Sequence, residues 1–310
     1  LRTEQQVLKL SLAGVLLVSA LGISFGLFSG SFAILFDGVF SLVDAVMSIV
    51  SITLAGLIAK SATNSLSRRT QYRFNMGFWH FEPIVLAVNA LLMMSVATYA
   101  LFQAVSALIS GGREVEFGPA VLYAAVVVVL TGVIGFVESR ANRKIQSALV
   151  AIDVKGWIMA GGVTSALLIA FGLGAVIDGT DAAWLMPYVD PAVLALVALV
   201  LIPIPFSTLR KSVAEISLVT PPELKARADG VAASIVDSEG FADARAYVSQ
   251  QGRARTVDIV FYVPAGQPPR ALEDWDAVRD LALARLDGED PHSWITISFT
   301  TKKPPALPEQ

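Results

Sequence analysis

No cysteine occurs among the 310 residues. Disulfides, thiolate metal sites, iron–sulfur clusters and cysteine nucleophiles are therefore excluded. Histidine is nearly as scarce, with only His80 and His292. Charge is low as well: charged residues make up 16% of the chain, where a soluble domain carries about a quarter. The net charge of −3 offers nothing to a polyanion, so no nucleic-acid partner is expected. Catalytic signatures are missing too, with no phosphate-binding P-loop, no GxSxG elbow and no HExxH pair. The sequence predicts no enzyme and no resident cofactor, and ATP is not its energy source.

Apolar residues are abundant instead, at 55%, and the mean hydropathy is +0.64. Up to about residue 218 the chain is a succession of apolar runs, near 7–29, 31–59, 80–109, 118–139, 145–176 and 190–209. Each reaches the roughly 20 residues that a helix needs to cross a bilayer. The first is too long for a cleavable leader and leads straight into the second. Breaks such as Ser29-Gly30-Ser31, Ser110-Gly111-Gly112-Arg113 and Asp178-Gly179-Thr180-Asp181 separate the runs. Six spans put both termini on one side. That side carries Arg2, Lys9, Lys60, Arg68, Arg69, Arg73, Arg140, Arg143, Lys144, Arg210 and Lys211, whereas the other has only Arg113. The positive-inside rule then predicts cytoplasmic termini.

After Pro221-Pro222 the composition becomes that of a small soluble domain. Residues 222–237 read as an amphipathic helix with Leu224, Ala228, Val231 and Ile235 on one face. Residues 243–250 and 255–263 read as strands around a Gln251-Gly252 turn, 271–287 as a second helix and 293–300 as a last strand. The expected architecture is a polytopic α-helical membrane domain, 1–218, with six spans, followed by an α-β-β-α-β domain, 219–302. A proline-rich tail, 303–310, is expected to be disordered.

Ionisable residues deep in a spanning helix are costly, roughly 2.5–3.5 kcal/mol at its centre, and are functional candidates by default. The second run holds Asp37 and Asp44, which share one helical face with Ser41, Ser48 and Ser51. The serines read first as packing residues, and Asp44 reads first as functional. The fifth run holds Asp153 and Lys155, about 200° apart around the helix, so they do not pair within it. Lys155 either snorkels to the interface or neutralises Asp153 or Asp44 across the bundle. At the head of the third run, His80 and Glu82 form either an interfacial polar cap or a place where metal is admitted. Glu82 shares its face with Asn89, seven residues on. His292 reads as a solvated loop residue. Carboxylates in a bundle can also carry protons, which suits transport driven by an ion gradient.

Six spans and an α-β-β-α-β tail resemble the cation diffusion facilitator family of metal/proton antiporters. The resemblance covers almost the whole chain. Asp37-Gly38-Val39-Phe40-Ser41-Leu42-Val43-Asp44 is similar to the family's second-helix motif. Residues Phe74 to Pro83 are similar to its Gly-His-Gly-Lys/Arg-x-Glu segment. Arg143 to Ser147 resembles the opening of its fifth helix, Asp190-Pro191 the start of its sixth and Pro221-Pro222-Glu223 the start of its tail domain.

The resemblance implies a four-ligand transport site, two positions on the second helix and two on the fifth. Here those positions fall at Phe40, Asp44, Gly156 and Ala160, with Asp153 at an auxiliary acidic position. The family's loop histidine falls at Phe78, its tail histidine near Ser298 and a tail acid near Thr300. Three usual ligands are thus replaced by residues that bind no metal. A rearranged site would use Asp37, Ser41, Asp44, Asn89 and Asp153. All are oxygen donors, which suit manganese, iron(II), cobalt or magnesium better than zinc.

The implied function is export of a divalent cation in exchange for protons, by a homodimer joined through its tails. Asp44 would be the essential ligand and proton acceptor, and Lys155, Glu82 and His80 would act in gating or proton coupling. The missing ligands motivate another reading, a non-transporting regulatory or heterodimer subunit. The short loop between the fourth and fifth runs lacks a His-rich insert, which points to a bacterial inner membrane.

Overall fold

A computed structural model describes residues 4–62, 65–145, 148–177, 180–286, 288, 290 and 293–302. His292, the 178–179 break and the tail 303–310 lie outside them. The helices are α1 (Glu4–Ser29), α2 (Phe32–Ala62), α3 (Arg68–Arg73), α4 (Phe81–Ile109), α5 (Phe117–Ile145) and α6 (Ala148–Ile177). After a short 3-10 turn, Ala183–Leu185, come α7 (Met186–Leu201) and α8 (Phe206–Ile216). The last part comprises α9 (Pro222–Glu239), β1 (Asp243–Gln251), β2 (Ala254–Tyr262), α10 (Leu272–Arg285) and β3 (Ser293–Thr300). Among the described residues, six helical segments are long and apolar enough to cross a membrane, the sixth running from Ala183 to Ile216.

The sixth span differs from the sequence reading. The apolar run is continuous, but the helix breaks between Leu201 and Phe206, across Ile202-Pro203-Ile204-Pro205. A proline has no N–H to donate and clashes with the carbonyl four residues before it, so two in close succession end a helix. Pro191, by contrast, is accommodated inside α7. The carbonyl it leaves free, that of Pro187, accepts the Arg113 N–H at 2.7 Å.

The chain divides into two compact units, one of residues 1–50 and 88–209, the other of 51–87 and 210–310. The core of the first is built from Ile34 and Phe36 of α2, Ala97 and Ala104 of α4, Tyr123 and Val127 of α5, Leu167 and Phe171 of α6, and Leu194 of α7. Many alanines line it, as expected where helices approach closely in a membrane. α1 and α2 approach closely at Gly22 and Gly38, where a Cβ on either would lie within 2.6 Å of the other's backbone. Large apolar side chains such as Leu17, Phe28, Phe102, Val129, Phe136, Ile169 and Leu173 are exposed around this unit. In water that surface would be untenable; in lipid it is the expected exterior.

The start of α2 is held with unusual completeness. The Ser31 hydroxyl caps it, accepting the Ile34 N–H at 3.1 Å. The next two N–H groups, of Phe32 and Ala33, donate to Asp190 of α7, each at 3.2 Å. Ser31 itself donates to the same carboxylate at 2.5 Å. The four orphan donors of a helix N-terminus must be satisfied when that terminus is buried, and here a remote aspartate does much of it. Arg113, the lone base of its side, lies with its guanidinium 3.5 Å from the centre of the Phe32 ring.

In the second unit β1 pairs antiparallel with β2, and β2 parallel with β3, in the order β1-β2-β3. Strand alternation holds: Val257, Ile259 and Phe261 are buried, and α9 and α10 supply Ala228, Ile235, Val278 and Ala282 to the same core. Phe241, Phe261, Trp275 and Phe299 form its aromatic cluster. The hairpin turn is held by two acids of the same unit. Glu215 accepts the Gly252 N–H at 2.8 Å, and Glu82 faces the Arg253 side chain at 3.3 Å.

Candidate functional site

Asp44 of α2 and Asp153 of α6 are near enough for their charges to repel. Asp44 is exposed at the surface of the protein itself, and Asp153 is half-buried with one oxygen, Oδ2, sealed and without a hydrogen-bond partner. α2 carries Asp37 seven residues before Asp44, about 10 Å along the axis. There Asp37 has a partner of its own: the buried Tyr123 of α5 donates its hydroxyl to Oδ2 at 2.7 Å. A cavity of ≈ 20 Å³ beside Asp37, lined also by Phe36, Phe40 and Leu194, has room for about one water.

The other expected donors are scattered. Ser41 is half-buried on the face of α2 between the two aspartates. Asn89 of α4 has its Oδ1 buried and without a hydrogen-bond partner. Lys155 is exposed. Among the described residues, no group of three or more His, Asp or Glu side chains is arranged to hold a metal ion.

The positions at which the resemblance places missing ligands are occupied by side chains that offer no metal donor. Phe40 packs on Phe36, ring centres 5.5 Å apart. Gly156 and Ala160 are exposed on α6. Phe78 is buried against Leu54 and Ile58. The structure gives His80 and Glu82 different company: His80 lies tilted against Phe81, ring centres 4.4 Å apart, and Glu82 bonds Arg253.

One acid was missed in the sequence. Glu138, near the end of α5, is fully buried, 0% exposed, with neither carboxylate oxygen hydrogen-bonded. It closes the inward stripe of α5 that runs Ala120, Tyr123, Val127, Thr131, Ile134, Glu138 at spacings of three and four. Those spacings were the available signal. They were hidden because the lipid-facing residues of α5 are as apolar as the inward ones.

A family model for the cation efflux transmembrane domain matches residues 8–217. The chain belongs to the cation efflux family. It is accordingly a multi-pass membrane protein and a cation transporter by family, not an enzyme. The match covers the spans that carry Asp37, Asp44, Glu138 and Asp153. Among curated proteins, none matches the chain significantly.

Proposed function

We propose that this cation efflux protein is a secondary transporter that moves a divalent cation out of the cytoplasm in exchange for protons. The family match over the spanning domain carries the reading, and Asp44 and Asp153, carboxylates on two different spans within electrostatic reach of one another, support it. An exposed carboxylate in mid-span is not tolerated against lipid. Asp44 therefore lines an aqueous path or a protein partner, and a second copy of the chain is the natural partner for a homodimer. Two carboxylates within electrostatic reach of each other attract a divalent cation or protons, and the two compete. Competition of that kind is the basis of exchange.

Asn89 and Ser41 would complete an oxygen-donor site if the helices close on the ion, with Asp37 acting further along α2. Such donors suit manganese, iron(II), cobalt or magnesium, in preference to zinc. The cation is cargo and no resident cofactor is required. The resemblance and the loop charges support a bacterial inner membrane with both termini in the cytoplasm. His80, Glu82 and Lys155 would then act at the cytoplasmic end as gating or proton-coupling residues.

A second reading has its own support. Phe40, Gly156 and Ala160 stand where ligands would be, and no three-acid group is assembled among the described residues. On that reading the protein is a regulatory or heterodimer subunit. Flux into proteoliposomes under a pH gradient, tested with manganese, iron(II), cobalt, magnesium, zinc and cadmium, separates the two. Uptake of one of the oxygen-preferring ions is expected. No flux of any ion, from folded protein, would overturn the transport reading and favour the regulatory one.

A further inference from the structure

Pro203 and Pro205 stop α7, and α8 begins afresh at Phe206. Apolar and polar side chains are segregated on α8 more sharply than on any other helix of eight residues or more. With 3.6 residues per turn, Phe206, Leu209, Val213 and Ile216 fall on one side of it. In a helix of a soluble domain that side would be buried. Here it is turned outward: Phe206 is 56% exposed, Val213 48% and Ile216 44%, and the one buried residue of α8 is Ser212. Arg210 stands at the margin of the apolar side, exposed, and no ion pair of its guanidinium is found among the described residues. Lys211 lies on the far side, 3.9 Å from Glu215.

The level of α8 is fixed by the hairpin turn. Two successive N–H groups of that turn go to two different acids. Gly252 donates to Glu215 Oε2 at 2.8 Å, and Arg253 to Glu82 Oε2 at 3.3 Å. Glu82 lies in the first turn of α4, a helix whose apolar span opens at Phe81. The last turn of α8 is therefore held level with the head of a spanning helix. An apolar helix face at that height meets the boundary between headgroups and acyl chains.

We propose that α8 lies in the membrane interface, with Phe206, Val213 and Ile216 among the acyl chains and Arg210 bound to the headgroup of an anionic phospholipid. A guanidinium is the side chain best matched to a phosphate, and it carries the charge that an anionic headgroup needs. The apolar side of α8 continues the lipid-facing surface of the sixth span, whose Leu196, Leu199 and Val200 are exposed just before the proline break. Glu215, on the other side of α8, holds the hairpin turn. A lipid bound at Arg210 thus steadies the helix on which that turn rests. The inference goes beyond the exchange reading and does not depend on it.

The chain has no cysteine, so a spin label on Val213→Cys reports that position alone. The test uses the full-length protein in nanodiscs of phosphatidylcholine and phosphatidylglycerol. The label should be open to oxygen and shielded from a water-soluble nickel chelate. A label on Thr208→Cys, exposed on the other side of α8, should read the reverse. Ile216→Cys should agree with Val213→Cys and replaces it if that variant does not fold. Free access of the nickel chelate at 213 and 216 would put α8 in water and overturn the proposal. Shielding from both reagents would overturn it too, because a second copy of the chain would then cover the face. Native mass spectrometry of protein released from the same nanodiscs tests the headgroup. Wild type should retain phosphatidylglycerol in preference to phosphatidylcholine, and Arg210→Gln should lower that preference about fivefold. Lys211→Gln should leave it near the wild-type value. An unchanged preference in Arg210→Gln, or an equal fall in Lys211→Gln, would refute the role given to Arg210. Neither readout involves flux, so failure of the exchange reading would leave both results standing.

Discussion

Replacing Asp190 by alanine should unfasten the start of α2, the helix that carries Asp37 and Asp44. Asp190 is fully buried and accepts from the Ser31 hydroxyl and from the N–H groups of Phe32 and Ala33. A hydrogen bond to a charged group contributes about 1.5–3 kcal/mol, and the two backbone bonds, at 3.2 Å, belong at the lower end. The negative charge also sits at a helix N-terminus, worth up to about 2 kcal/mol in a partly buried setting. These contributions overlap, and breaking a buried charged contact by removing one side costs about 3–5 kcal/mol. We expect Asp190→Ala to destabilise the membrane domain by that amount. Asparagine keeps one acceptor oxygen but turns an amide N–H₂ toward a backbone donor, so Asp190→Asn should cost about 2 kcal/mol. Denaturant unfolding in mixed micelles, followed by helical circular dichroism, gives both values. If Asp190→Ala unfolds within about 0.5 kcal/mol of wild type, the carboxylate does not hold α2 as described.

Three further outcomes follow from single contacts. Tyr123→Phe removes the hydroxyl donated to Asp37 and should cost about 1–3 kcal/mol, measured in the same unfolding assay. Tyr72→Phe, on an exposed side chain, should stay near zero and serves as its control. Gly252→Ala forces a side chain onto a residue at φ +61°, and its Cβ would fall 2.5 Å from Glu82 Oε2. The left-handed backbone alone costs about 1–2 kcal/mol, and the Glu82–Arg253 contact should be displaced as well, so the melting temperature should fall. Gly230→Ala is the opposite case. It lies inside α9 with nothing within 4 Å of the added atom, and should stabilise by about 0.5–1 kcal/mol. A destabilised Gly230→Ala would show that α9 packs on something beyond its own unit's core.

Hydrophobic patterning made the spans and the tail legible to within a few residues, because length and alternation are what a bilayer and a half-buried sheet require. The faces of the spans were much less legible. In a soluble helix the buried stripe stands out against a polar side, but α5 is apolar all round, so Glu138 read as the end of a span. Asp190 was visible only as the start of the sixth run. That it caps another helix, 159 residues earlier, depends on how α7 packs against α2, which no local pattern encodes. The Asp37–Asp44 face was readable from its spacing. The tertiary structure then divided it, with Tyr123 bonding Asp37 while Asp44 lies within electrostatic reach of Asp153. The break at Ile202–Pro205 was readable in principle from its two prolines, but the unbroken apolar run around them pointed to one helix.

The most direct measurement is paired cation and proton flux in proteoliposomes containing wild-type protein or Asp44→Ala, with the cation loaded on one side and a pH indicator sealed inside. We expect wild type to move protons against the cation, and Asp44→Ala to lose both fluxes while keeping its fold and its oligomeric state. Unchanged coupled flux in Asp44→Ala would contradict the assignment of Asp44. Cation movement without any proton movement in wild type would contradict exchange itself.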